Sequence, residues 1–164
     1  MADPNPIRPT DDEARALARS LMDQARFAAL AVISPESQAP TVTRIGFGTG
    51  DDGAPVTLIS NLSAHTRALQ ANPACSLLIG EPGDKGDPLT HPRLTLDATA
   101  SFVPRDAPAH AALRDSWLAQ HPKAKLYVDF ADFGFVRFAP RAAFLNGGFG
   151  KAYRLTPRDL LPAA

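Results

Sequence analysis

The stretch SNLSAHTRALQANP, Ser60 to Pro73, crowds Ser60, Asn61, Ser63, His65, Thr66 and Arg67 into one short run. Hydroxyl, amide, imidazole and guanidinium groups without a carboxylate among them are the donors of an anion site. The apolar run PVTLIS comes just before, so the pattern puts a helix N-terminus directly after a strand, with Ser63 as N-cap and Pro73 as stop. The free N–H groups and partial positive charge of such an end attract phosphate or carboxylate. Equally, these residues make an ordinary capped surface helix. Arg44 adds to the first reading, because it stands mid-strand in TVTRIGFGT on the same side as Val42 and Gly46. In a segment built for burial a guanidinium needs a carboxylate partner or a bound anion, and the residues alone leave both open.

Other candidates carry less. GFGTG, Gly46 to Gly50, ends a strand and enters a turn, whereas a dinucleotide fingerprint opens a helix. GGFGKA, Gly147 to Ala152, has no helix after it; its glycines suit either a flexible turn or close approach of backbone to a ligand. His65, His91, His110 and His121 are scattered without metal-ligand spacing, so no metal site is expected. Cys75 sits in an apolar strand and reads as an inert core thiol. No serine stands in a nucleophile-elbow pattern, and no catalytic residue is assigned.

The elements that must position these residues follow from periodicity and turn chemistry. Residues 1–9 hold three prolines and read as a loose arm. TDDE, Thr10 to Glu13, offers a capping box for an amphipathic helix ending near Gln24. RFAALAVIS, TVTRIGFGT and PVTLIS read as strands, the last two joined by a GDDGA turn. After the Ser63 helix, ACSLLIG resumes the sheet. RLTLDATASFV alternates cleanly, with Leu94, Leu96, Ala98, Ala100 and Phe102 on one face and Arg93, Thr95, Asp97, Thr99 and Ser101 on the other. RDAPAHAALRDSWLAQHP is a further amphipathic helix with Leu113 and Trp117 in register. The final segment, FGFVRFAPRAAFLNGGFGKAYRL, reads as short strands broken at Pro140 and Gly147-Gly148. Six or seven strands with three inserted helices make a mainly β protein, and short hairpin-linked strands favour a small antiparallel barrel over a doubly wound sheet.

Composition sets the class. A chain of 164 residues suits one domain spanning 1–164. Its 17 basic and 17 acidic side chains cancel, giving no field to recruit nucleic acid or an anionic membrane, so any anion site must be local. No apolar run approaches the roughly 20 residues of a spanning helix. One cysteine and an N-terminus without an apolar signal core point to the cytoplasm.

Taken in order, APTVTRIGF, VTLISNLSAHTRALQANPACSLLIG, HPRLTLDATA, HPKAKLYVDFADFGFVRF and LNGGFGKAYRL resemble the FMN-binding split β-barrels related to pyridoxamine 5'-phosphate oxidase, and within them the HugZ-type haem-utilisation branch. The resemblance spans roughly residues 25–155. It implies FMN, with Arg44, Ser63, His65, Thr66 and Arg67 around the phosphate, Ser60 and Asn61 near the ring or ribityl chain, and the backbone of Ile45, Gly46 and Phe47 along the isoalloxazine edge. It also implies a homodimer with the flavin between subunits, and an oxidoreductase acting on a small molecule. The HugZ-type branch implies the alternative of haem binding, and a barrel that only binds is the third reading. The oxidase's C-terminal arginine and tryptophan segment finds no match here. No histidine follows His121. Asp132 falls in the branch's acidic DF motif.

Overall fold

The computed structural model describes residues 5–162. Nine strands form one curled sheet in the order β1-β9-β8-β7-β6-β2-β3, with β4 and β5 continuing from β8 as a side branch. The strands are β1 (Ile7–Arg8), β2 (Phe27–Ile33), β3 (Pro40–Gly46), β4 (Gly48–Thr49), β5 (Pro55–Ser60), β6 (Ala74–Ile79), β7 (Arg93–Phe102), β8 (Phe133–Asn146) and β9 (Ala152–Leu155). Helices α1 (Asp12–Gln24), α2 (Ala64–Ala71) and α3 (Pro108–Gln120) interrupt them. Pairing is antiparallel except for β1 on β9. The expected mainly β barrel is what forms, but the strand read over TVTRIGFGT is divided into β3 and β4, and the short strands read on either side of Pro140 are one long strand, β8. Ile7–Arg8 form a strand instead of a loose arm, and residues 1–4 of that arm lie outside the described residues.

Two cores hold the sheet in shape. The larger fills the barrel with inward residues such as Leu30, Leu77, Leu96 and Phe138, closed by Ala14, Ala18 and Met22 of α1. Each large side chain buried this way is worth about 1.5–3 kcal/mol. The smaller core packs Leu113 and Trp117 of α3 against Val56 and Leu58 of β5 and Phe135 of β8.

Local chemistry differs from expectation at two points. The N-cap of α1 is Asp11, whose carboxylate accepts the Ala14 N–H at 2.8 Å, while the Thr10 hydroxyl donates to the Arg154 carbonyl instead. β8 runs unbroken through Pro140. A register shift puts Asp97 opposite Ala142 and Ala98 opposite Pro140, so Arg141 is the extra residue of a bulge. A bulge is one of the few places where a strand tolerates the missing proline N–H. Among the described residues no helix is long and apolar enough to cross a membrane.

Candidate functional site

At the junction of β5 and α2, several of the polar groups bond within the chain. The Ser60 hydroxyl donates to Asp132 Oδ2 at 2.5 Å and accepts the Leu62 N–H at 3.1 Å. The Asn61 N–H donates to the Asp132 carbonyl at 2.7 Å. Thr66 is fully buried and its hydroxyl donates to the Ser60 carbonyl at 2.6 Å. Arg67 turns a guanidinium N–H back to the Leu62 carbonyl at 3.1 Å. Ser63 stands at the N-cap position but its side chain makes no capping bond. His65 is half-buried in a cleft of about 70 Å³ beside Val32, Glu36 and Thr41, and that burial holds its pKa below the usual imidazole value. The junction is a structural knot tying β5 to α2 and to the entry of β8.

Arg44 is elsewhere in character. It is exposed, with its guanidinium 5.2 Å from the centre of the Phe27 ring, so the expectation of a guanidinium buried with a partner is corrected. Among the described residues no hydrogen bond or ion pair joins it to Ser60, Asn61, Ser63, His65, Thr66 or Arg67. His65 and Arg67 line their cleft with Thr41 and Val32, which pair with each other; Arg44 and its partner Ala29 lie three residues along each strand, on the other face.

The backbone expected to meet an isoalloxazine ring is covered by the chain itself. Ile45 is buried, the Phe47 N–H donates to the Arg26 carbonyl at 3.0 Å, and the Phe47 carbonyl bonds His121 Nε2 at 2.8 Å. A Cβ on Gly46 would stand 3.0 Å from Trp117 Cζ2, and one on Gly48 would stand 2.8 Å from Gln120 Oε1. The glycines of GFGTG therefore let the Trp117 indole lie against the strand. His121 stacks on that indole at 4.0 Å, and Gln120 pairs its amide with both backbone groups of Thr49. Among the described residues Trp117 Nε1 is buried without a partner.

Beyond this wall the outer sheet face is open. Register alone aligns Arg44, Ala29, Leu78, Thr95, Phe144 and Arg154 in one row across β3, β2, β6, β7, β8 and β9. Each end is an arginine over an aromatic ring, Arg44 over Phe27 and Arg154 over Phe144 at 4.5 Å. Leu78 and Thr95 stand at its middle, and Ala29 and Ala31 on β2 and Ala142 on β8 leave shallow ground beside them, with Val42 66%, Leu78 45% and Phe27 39% exposed around it. The half-buried Asp97 accepts the Ser76 hydroxyl at 2.6 Å in the neighbouring row. Burial pushes the Cys75 thiol up to about 11, with the Asp97 charge adding to it, which keeps it an unreactive thiol. Among the described residues no cluster of three or more His, Cys, Asp or Glu gathers to hold a metal ion.

The row escaped sequence reading. Alternation in RLTLDATASF showed which face of β7 was polar, but which strands flank it, and in what register, is a long-range property. Trp117 was read only as a core residue; its fit against Gly46 and Gly48 had no local signal.

The matching family model, described as CREG, beta-barrel, spans residues 9–160. The chain belongs to this family. Its barrel is that of the split-barrel superfamily, as the resemblance implied. Among its relatives, the chloroplastic non-canonical heme oxygenase HOZ of Arabidopsis thaliana is 39% identical over 115 residues, which are 70% of this chain and 34% of HOZ. Heme oxygenase HutZ of Vibrio cholerae is 30% identical over 128 residues, 74% of this chain and 70% of HutZ. A heme binding protein from Mycobacterium smegmatis matches in structure with a TM-score of 0.81 at 28% identity, covering 94% of this chain and 61% of that one. The chain thus spans about a third of the plant relative's length. These relatives are haem proteins, which overturns FMN as the expected cofactor. At the edge where the flavin was expected, the Phe47 N–H is already bonded to the Arg26 carbonyl.

Proposed function

We propose that this CREG-type barrel binds haem on its outer sheet face, with Arg44 pairing a propionate. The observation that carries the reading is the row from Arg44 to Arg154, in which Ala29, Leu78, Thr95 and Phe144 lie between two guanidinium groups, each stacked on an aromatic ring. A planar apolar ring with two carboxylates on one edge suits such a surface: the macrocycle covers Ala29 and Leu78, and the charged edge meets an arginine. The haem proteins among its relatives support the same choice. The reading includes a homodimer, because the row exposes more apolar side chain than a lone barrel gains from leaving in water.

Bound haem supplies the iron and the oxidisable ring; the chain's own residues hold and orient it. Of the four histidines, His91 has both ring nitrogens engaged, by the Gly83 N–H at 3.1 Å and the Lys85 carbonyl at 2.7 Å. His121 is tied to Phe47. The reading rests on arginine and the apolar floor, and assigns no axial ligand.

Titrating the purified protein with hemin and following the Soret band tests it. Saturation at one haem per chain with a shifted Soret maximum is the expected result; a spectrum identical to free hemin sinks the reading. Ascorbate added in air then separates turnover from storage, since a chain that opens the ring loses the Soret band and one that only holds haem keeps it.

A further inference from the structure

Along α1, Asp12, Arg15, Arg19, Ser20 and Asp23 recur at helical spacing on one side, while Ala14, Ala18 and Met22 fill the core on the other. The polar side is one wall of a groove of about 940 Å³. Its opposite wall is the C-terminal turn Pro157–Leu160, continued by Leu161 and Pro162. That turn is fixed in place. Leu160 is buried in the barrel core, and the Asp159 carboxylate accepts the Arg15 Nε–H at 2.8 Å, the Thr156 N–H at 2.8 Å and the Thr156 hydroxyl at 2.9 Å. The groove is therefore built into the fold, and it has the volume of a small-molecule site.

The arginines of the groove are not equally satisfied. Arg15 is held between two carboxylates, Asp12 at 2.9 Å and Asp159 at 2.8 Å. Arg19, one turn further along α1, has no such support. Its side chain is only 16% exposed, and its ion-pair partner Asp23 stands 3.9 Å away, itself half in water. Among the described residues, its one hydrogen bond runs from Nη1 to the Gly53 carbonyl at 3.2 Å, and its Nε–H is buried without an acceptor. Burial pulls the pKa of this guanidinium below its usual value, and Asp23 offsets part of that. A guanidinium taken out of water needs a close counter-charge, which one carbonyl and a carboxylate at 3.9 Å do not supply. Arg158, on the opposite wall, is exposed and makes no ion pair among the described residues.

The rest of the lining says what kind of anion fits. Asp12, Asp23 and Asp159 surround the arginines, so a second negative charge on the ligand would meet repulsion and one is enough to pair Arg19. Ala16, Pro162 and the exposed Leu161 add apolar surface beside the charges. We propose that the groove between α1 and the C-terminal turn binds a small amphipathic monocarboxylate, its carboxylate pairing Arg19 and Arg158 and its hydrocarbon body covering Leu161 and Pro162. Guanidinium and carboxylate match through paired N–H···O bonds, which gives the head group its selectivity. None of the lining residues belongs to a strand, so the site is separate from the sheet row and independent of the haem reading.

Calorimetric titration of the purified protein with sodium octanoate tests the proposal, with 1-octanol and inorganic phosphate as comparison probes. Octanoate is expected to bind saturably, about tenfold or more tighter than either, in keeping with a charge-assisted bond that octanol cannot make. Arg19→Met removes the buried charge, keeps an unbranched side chain, and should weaken octanoate by a similar factor. Asp23→Asn removes the competing carboxylate and should tighten octanoate about threefold, a gain that mere loss of structure does not produce. Leu161→Asp, at an exposed position, should weaken it too and gives the answer if Arg19→Met does not fold. Octanoate that binds no better than octanol overturns the proposal, and so does parent-like binding in Arg19→Met or in Leu161→Asp. Phosphate binding as tightly as octanoate overturns the amphipathic ligand. Loss of octanoate binding in Arg44→Ala, with retention in Arg19→Met, puts the probe on the sheet face and overturns the groove. The titration contains no hemin, so it is decided whatever the Soret band shows.

Discussion

The β5–α2 junction and the outer sheet row hold the same kinds of donor, yet they are opposites in use. At the junction, Ser60, Thr66, Arg67 and the Asn61 N–H all bond to the chain itself. Along the row, Arg44 and Arg154 rest on aromatic rings, which position a guanidinium without consuming its five N–H donors. A list of donors in sequence therefore measures potential, and only their partners in the fold show what is left for a ligand. Changes at the junction should act on stability and changes along the row on binding.

Arg44→Ala offers the largest separation. Losing a charge-assisted bond to a haem carboxylate should weaken hemin binding about tenfold to a hundredfold, from the ~1.5–3 kcal/mol of such bonds, with no change in thermal midpoint. Hemin titration beside calorimetry reads both. A parent-like hemin affinity would remove Arg44 from the site and with it the contrast between the two regions.

Thr66→Val is the mirror image. The substitution keeps the volume but strips the hydroxyl that satisfies the Ser60 carbonyl inside the protein, at a cost of about 1–3 kcal/mol in unfolding free energy. Hemin affinity should hold. A Thr66→Val protein as stable as the parent, but weak in hemin binding, would return the junction to the role the resemblance gave it.

Phe27→Leu acts on the positioning of Arg44 and is smaller. The ring's pull on the guanidinium is worth about 0.5–1 kcal/mol at an exposed site, so hemin binding should weaken roughly two- to fivefold. Phe27→Tyr keeps a ring face and should bind as the parent does. Equal losses in the two variants would mean that Phe27 contributes bulk and not the cation–π contact.

How much of this was legible depended on range. Most of the longer strands, the three helices and the barrel followed from alternation, caps and turn residues, all local signals. Asp11 took the N-cap from Thr10 because both can cap and only the arrival of the Arg154 carbonyl gave Thr10 another bond. Pro140 looked like a strand end because the bulge that excuses it depends on β7. Arg44 was read as a guanidinium in a segment built for burial, and its exposure follows from β3 being the edge of the main strand order, which no window around residue 44 reports. The pairing of Arg44 with Arg154 at opposite ends of one row needed five strand pairings at once. Chemistry written into one segment can be read from it; chemistry assembled by register cannot.

The smallest effect belongs to pH, and it too divides the regions. His65 titrates below its ordinary value of 6.5 because burial disfavours the imidazolium, and His121 does so for the same reason with Arg26 nearby adding to it. The unfolded chain therefore binds protons more readily than the folded one near and below pH 6.5. Stability from these groups is complete above the unfolded value and is lost as pH falls through 6.5 towards the depressed folded values. Thermal midpoints should fall between pH 7 and pH 5 in the parent and fall less in His65→Gln, while Arg44→Ala follows the parent curve. A midpoint whose acid sensitivity is unchanged by His65→Gln and by a matching His121→Asn would show that neither imidazole is held neutral by its surroundings.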